Sequence, residues 1–255
     1  MDEGVKKQIY QLVYKKLSTK IESYRPESEH KPFFSRIFSN EMIVTHSLIQ
    51  SFYTSFGMSI YEQMAEMLAY SAGYEVHRQY RLEGDIDLRT AQFIDEIWEH
   101  DKTYGSGNKL NQIEQIRENI YPARSPVVHN DSVVDIFIKR PDGWEFYIDI
   151  KTVKPNKENF QSFKRKLLRW VGYRLSVNPS AKLVTAIAIP YNPFHPTPYS
   201  QGMRHGQSLD ANYDILVQEQ FWNLVGGSDT TYIELLEIFT SVGNELRNQV
   251  EEMFS

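Results

Sequence analysis

Cysteine is absent from the 255 residues. That excludes disulfides, thiolate zinc sites, iron–sulfur clusters and a cysteine nucleophile, and it fits a reducing compartment, so a cytoplasmic protein is expected. No apolar run approaches the roughly 20 residues needed to cross a bilayer. Met1–Lys20 mixes Asp2, Glu3 and several lysines with scattered apolar residues, unlike a secretory leader. A soluble chain with no membrane partner is the expectation. An overall basic excess is also lacking: the net charge is −5, which argues against a generic coat for nucleic acid but leaves open where charge is concentrated. His30, His46, His77, His100, His129, His195 and His205 show no close ligand spacing. Gly105-Ser106-Gly107 lacks the residues that complete a phosphate-binding loop. There is no repeat and no low-complexity segment.

Apolar residues make up 41% and aromatics 13%, enough for a substantial core. Charge is uneven. Between Lys151 and Arg174 there are eight Lys or Arg and one acid, Glu158, whereas Glu83–Glu99 is acidic. Helical spacing of Val5, Ile9, Leu12, Val13 and Leu17 predicts a helix at the start. A long helical region is predicted from Asn40 to Ala72, with Ile49, Phe52, Phe56, Ile60, Met64 and Met67 on one face and Gly57 as an interruption. Tyr74–Leu82 reads as a strand, Asp85–Asn119 as helices around Gly105–Gly107, and Val127–His129 as a short strand. Ser132–Lys139 and Glu145–Val153 read as a hairpin around Pro141-Asp142-Gly143. An amphipathic helix follows at Asn159–Val177, with Phe160, Phe163, Leu167, Trp170 and Val171 inward. Leu183–Ile189 has the apolar run of a buried central strand. Pro190–Leu209 reads as a long loop, and Tyr213–Phe254 as helices about Gly226-Gly227. The order predicts an α/β fold with a mixed central sheet flanked by helices, plus helical N- and C-terminal additions. Residues 1–45 are taken as an N-terminal helical segment and candidate dimerisation element, and 46–255 as the main domain.

The hairpin carries the chemical signal. Asp149 and Lys151 are two apart and share one face of a strand; Asp135, on the other arm, can face the same way. Hydrolysis of a phosphodiester uses such a set. Hard oxygen donors hold Mg²⁺, the metal stabilises phosphate charge and supplies hydroxide, and a lysine orients or deprotonates the attacking water. The Ile150 carbonyl is a candidate further ligand. On spacing alone, an ion pair between neighbouring strands explains these residues equally well. Glu29-His30-Lys31 repeats the acid-x-Lys spacing but sits in a polar loop. Glu62, in the long helix, is a candidate third acid; Glu66, one turn on, competes with it, and an exposed helix glutamate is the plain alternative for either.

Asp135 with Asp149-Ile150-Lys151 resembles the PD-(D/E)XK nuclease core. Thr54-Ser55-Phe56-Gly57-Met58-Ser59 with Tyr61-Glu62, the run Asp149 to Lys157, Phe163–Leu168, and Phe221-Trp222 with Gly226-Gly227 together resemble the TdeIII-like type II restriction endonucleases, from about Gln50 to Gly243. The resemblance implies Mg²⁺-dependent cleavage of double-stranded DNA at a short palindrome, of GGNCC type, by a homodimer. It implies Asp135 and Asp149 as metal ligands, Lys151 as the catalytic lysine and Glu62 as the helix acid. Val134 stands where a proline often precedes the first acid. A repair or junction-resolving nuclease of the same superfamily, and a non-catalytic sequence-specific DNA-binding protein, are the competing readings.

For DNA contacts the sequence offers two groups. Lys154, Asn156, Lys157, Gln161, Lys164 and Arg165 follow the hairpin, with Gln161, Lys164 and Arg165 on one helical face. Arg204, His205 and Gln207 lie in the long loop. Lys and Arg suit guanine and phosphate, Asn and Gln suit adenine. A solvated helix face and a plain tether explain the two groups as readily.

Overall fold

The computed structural model describes residues 1–25, 32–127, 131–151, 157–202 and 208–252. Helix α1 (Glu3–Ser23) opens on Asp2, whose carboxylate accepts from the Gly4 N–H at 2.8 Å, the usual way of satisfying an N-terminal donor. Its Ile9 and Val13 are fully buried. A 3-10 turn (Phe34–Arg36) precedes α2 (Asn40–Ser55), so the residue 45/46 boundary falls inside a helix. The long helical region is not continuous. A π-helical turn at Phe56–Ile60 separates α2 from α3 (Tyr61–Ser71), and such turns often mark functional positions. Ile60 and Met64 are buried as their spacing predicts, while Ile49 remains exposed.

The central sheet has five strands in the order β1-β4-β5-β6-β7. β1 (Glu75–Arg81), β4 (Val133–Lys139) and β5 (Trp144–Ile150) are antiparallel neighbours, and β5, β6 (Lys182–Ile189) and β7 (Ile215–Val217) run parallel. The sheet is therefore mixed, as expected. Gly143 turns the β4–β5 hairpin at φ 86°, a backbone region that side chains rarely adopt. A two-stranded ribbon pairs β2 (Ile86–Asp87) with β3 (Pro126–Val127).

Helices cover both faces. α1, α3, α8 (Glu219–Gly226) and α9 (Thr231–Glu252) pack on one side, with Ile136, Ile148, Val184 and Ala186 beneath them. α4 (Leu88–Tyr104), α5 (Lys109–Glu118) and α6 (Lys157–Val177) pack on the other, over Phe137, Tyr147, Leu183 and Ile187. β6 buries apolar side chains on both faces, with Leu183, Val184, Ile187 and Ile189 each contributing about 1.5–3 kcal/mol. Its one buried polar member, Thr185, donates its hydroxyl to the Leu167 carbonyl at 2.9 Å. Phe160, Leu167, Trp170 and Val171 face inward along α6 as predicted.

Two readings of the C-terminal third need correction. Residues 215–217 form the parallel edge strand β7 rather than part of a helix; three residues are too few to show an alternation. The Pro190–Leu209 segment is partly ordered by α7 (Tyr199–Gly202), with Tyr199 and Leu209 buried in the core. The Val127–His129 strand is seen only at Val127, since residues 128–130 lie outside those described. Among the described residues, no helix is long and apolar enough to cross a membrane.

Candidate active site

The hairpin arms separate where the acids sit. The last paired residues on this side are Ile136 and Ile148. Beyond them the Asp135 carboxylate, not a backbone carbonyl, accepts the Ile150 N–H at 2.7 Å. Val134 joins Phe137 in the α6-side core, while Ile136 joins the α3 side. The strand alternation therefore slips at Asp135. On the far arm, β5 remains tied to β6, and the Lys151 N–H donates to the Ala188 carbonyl at 2.9 Å. Asp149 is thus held by a buried strand, and only 2% of it is exposed.

The side chains converge. Lys151 Nζ lies 2.6 Å from Asp149 Oδ2, and Lys166 Nζ lies 3.2 Å from the same oxygen. Asp135 is anchored beside Asp149 by accepting the Ile150 N–H, and the charges of the two carboxylates act on one another. Burial first, and the Asp149 charge second, push the Asp135 carboxyl up to about 7, because two neighbouring carboxylates resist ionising together. Gln79 completes the group. Its Nε2 donates to Glu62 Oε2 at 3.0 Å and lies 3.4 Å from Asp135 Oδ1. The two helix acids have different partners: Glu66 pairs with Arg78 at 2.7 Å, and Glu62 accepts from Gln79, which also reaches Asp135.

The Asp135 shift has a consequence for stability. A carboxyl whose pKa is raised on folding holds its proton more tightly in the native state. The stability it contributes is complete below about pH 4 and is lost as pH rises through about 7. In the absence of divalent cations, the wild type should lose about 1–3 kcal/mol between pH 5 and 8 that Asp135→Asn does not lose. Urea unfolding of both proteins at the two pH values, in EDTA, measures this; parallel losses would show that Asp135 does not titrate there. Asp87 and Glu234 act in a different window. Backbone N–H donation by Ser125 and the Arg89 side chain hold Asp87 at about 2, and the Thr230 hydroxyl and neighbouring ammoniums hold Glu234 at about 2. Their contribution is lost only in acid.

The basic face expected on α6 is not a DNA surface at Lys164. That residue is 0% exposed. Its ammonium is enclosed by Asp214 at 2.7 Å, Gln112 at 2.7 Å and Asp101 at 3.1 Å, with the Ser106 hydroxyl at 3.3 Å. Lys109 reaches the other Asp214 oxygen at 2.7 Å. Burial draws the Lys109 ammonium down to about 8 against the pull of Asp214. Burial also works against the Asp214 charge, but the two lysines outweigh it and hold its carboxyl low. The signal was in the sequence. Lys164 falls four after Phe160 and three before Leu167, on the apolar stripe itself. Arg165 is engaged too: Asp95 accepts from its Nε and Nη2 at 2.8 and 2.5 Å, and the guanidinium lies over the Trp98 ring. Gln161 is half-buried, and its carbonyl accepts from Trp98 Nε1 at 2.9 Å. Lys154, Asn156, Arg204, His205 and Gln207 lie outside the described residues; Lys157 opens α6, and its side chain is likewise outside them.

Sequence reasoning missed Lys166 and Gln79. Lys166 stands three after Phe163 and four before Trp170, whose ring it covers at 4.8 Å, a spacing that aims it at the open end of β5. Among the described residues, no three His, Asp or Glu side chains form a metal cage on their own. The oxygen donors present are nevertheless of the hard type that a small divalent cation takes: two carboxylates on neighbouring strands, with a third one amide away.

The chain matches the family described as HinfI, type II restriction endonuclease, over residues 1–243. It is 27% identical over 226 residues to the type II restriction enzyme HgiCII of Herpetosiphon aurantiacus, covering 85% of this chain and 79% of that one. To HgiEI of the same organism it is 25% identical, covering 88% and 82%. To the type II restriction enzyme MjaII of Methanocaldococcus jannaschii it is 22% identical over 74% of this chain and 52% of that one.

Proposed function

This chain belongs to the HinfI family of type II restriction endonucleases, and from that premise we propose that it hydrolyses both strands of duplex DNA at a short palindrome with Mg²⁺, using Asp135, Asp149, Lys151 and Glu62. The observation that carries the reading is the Lys151 ammonium 2.6 Å from the buried Asp149 carboxylate, with the Asp135 carboxylate anchored alongside on the Ile150 N–H at 2.7 Å. An ion pair alone would not call for a second, half-buried carboxylate on the neighbouring strand.

Asp135 and Asp149 would hold the cation, with the Ile150 carbonyl as a main-chain ligand and Glu62 as the outer acid. Bound there, the cation would stabilise charge on the phosphate and lower the pKa of a bound water. The chain's own residues do the rest. Asp149, fixed by β5, keeps Lys151 at the edge of the site, where its ammonium orients the attacking water and faces the growing phosphate charge. Lys166 neutralises the same carboxylate from α6, so Lys151 is free to turn toward substrate without leaving Asp149 unpaired. Lys154, Asn156, Lys157, Arg204, His205 and Gln207 remain the proposed DNA contacts.

The family that matches is the HinfI one rather than the TdeIII-like one; the resemblance of the flanks to TdeIII-like enzymes supports a GGNCC-type site as the proposed target. A palindrome is matched by a two-fold homodimer. Phe33, Phe34, Ile37, Phe38 and Met42 give it a surface: all five are exposed, Phe33 at 82%, and a patch of this kind marks a contact. Ile37→Asp with Phe34→Asp should halve the mass measured by light scattering and leave the circular dichroism spectrum unchanged. An unchanged mass would place the seam elsewhere.

The test of the function is a digest of sequenced phage DNA with purified protein and Mg²⁺. Discrete fragments whose mapped ends share one palindrome are expected. Preference for branched over linear duplex would favour a junction-resolving role, and binding without cleavage under any divalent cation would sink the catalytic reading.

A further inference from the structure

Gln79 is a polar residue in the middle of β1, and its backbone is out of character for a strand. The ladder pairs Arg78 with Ile136 and Tyr80 with Val134, so Gln79 stands opposite Asp135. Its φ is 49°, in the left-handed region that residues other than glycine rarely adopt. The consequence is visible in its neighbours. On a regular strand His77 and Tyr80, three apart, would face opposite ways. Here both stack on Phe137, with ring centroids at 6.1 and 4.6 Å. Arg78 and Gln79 both reach α3, Arg78 to Glu66 and Gln79 to Glu62. One left-handed residue has slipped the alternation and aimed two successive side chains at one helix.

Strain that persists in a folded chain is held by what surrounds it, and it gathers at functional sites. The slips at Gln79 and Asp135 lie side by side on paired strands, so the two distortions form one local feature. The Gln79 amide can donate to two acceptors, and the two it has are the carboxylates of Glu62 and Asp135. An amide suits this place. A carboxylate would add a third negative charge, and an ammonium would compete with a bound cation.

We infer that Gln79 is a positioning residue, whose strained backbone and bridging amide hold the helix acid Glu62 in register with Asp135 so that both act on one divalent cation. The inference rests on the proposed reading of the site and deepens it by naming what recruits Glu62. Without the bridge the half-buried Glu62 carboxylate would be free to turn to solvent.

The experiment is calorimetric titration of the DNA-free protein with Ca²⁺, alongside single-turnover cleavage with Mg²⁺. Gln79→Gly keeps the left-handed backbone without strain and deletes only the amide. It should melt no lower than wild type yet bind Ca²⁺ about 10-fold more weakly, the scale expected for loss of a group that orients a ligand, and cut correspondingly more slowly. Glu62→Gln should weaken Ca²⁺ binding about 10-fold in the wild-type background and less than about 2-fold in Gln79→Gly, because the two residues act as one unit. If glycine loosens the strand, Gln79→Asn accepts the same φ and is one methylene too short to span both acids; the same losses are expected. Ca²⁺ affinity and cleavage within 2-fold of wild type in either variant, or full additivity with Glu62→Gln, would overturn the inference while leaving the nuclease reading intact. A wild type that neither binds Ca²⁺ nor cuts would overturn both.

Discussion

Lys151→Ala is expected to slow single-turnover DNA cleavage by roughly 10³-fold, the usual cost of removing a charge aimed at the transition state, while shifting stability by no more than about 0.5 kcal/mol. The second half of the expectation follows from the surroundings of Asp149. That carboxylate is buried and would be costly to leave alone, but Lys166 lies 3.2 Å from the same oxygen that Lys151 holds at 2.6 Å. Truncating Lys151 therefore removes a cation from the mouth of the site without orphaning the acid behind it. Asp149→Asn should also abolish cleavage and keep sequence-specific binding in Ca²⁺ measurable by gel shift. The pair of variants separates chemistry from structure. If Lys151→Ala cuts at the wild-type rate, the Asp149–Lys151 contact is an ion pair between neighbouring positions and nothing more. If it cuts slowly but also unfolds, Lys166 does not compensate as the geometry requires. Lys166→Ala belongs beside it, because the two lysines approach one oxygen from different elements, and only the lysine facing substrate should carry the larger rate effect.

Much of this site could be read from residues close together in sequence. The hairpin was legible because its turn and alternation are local, and Asp149 with Lys151 was legible because a strand places residues two apart on one face. Asp135 needed only the assumption that the arms pair. What escaped depends on packing between distant segments. Glu62 and Glu66 could not be told apart until α3 was set against β1, where Arg78 takes one and Gln79 the other. Gln79 looked like an ordinary strand residue, since a single left-handed φ leaves no trace in a side-chain pattern. β7 escaped because an edge strand of three residues is defined by its neighbour β6 rather than by its own period. The two signs of charge along 83–99 and 151–174 were visible as composition, but part of their use is internal: Asp95 on α4 meets Arg165 on α6, as Asp101 just beyond that stretch meets Lys164. A charge asymmetry that suggested an outward-facing DNA surface is partly a seam between two helices.

That seam gives the second large effect. Lys164→Ala should lower the free energy of unfolding by about 3–5 kcal/mol, the range for breaking a buried ion pair by removing one partner. The ammonium is fully buried and meets Asp214, Asp101 and Gln112, so its loss leaves Asp101 without its nearest cation and Asp214 with Lys109 alone. Urea unfolding measures the loss directly. Lys164→Met combined with Asp101→Asn removes charge of both signs and should recover part of it, because the penalty comes from the unpaired carboxylate more than from the missing attraction. DNA binding supplies the opposing test. A lysine that neutralises a phosphate contributes about 0.9 to the slope of log affinity against log salt, and its removal weakens binding to every sequence without touching stability. For folded Lys164→Met/Asp101→Asn the salt slope should match wild type. A slope lower by about one, with unfolding unchanged, would return Lys164 to the DNA surface and show that the buried cluster opens when the duplex binds.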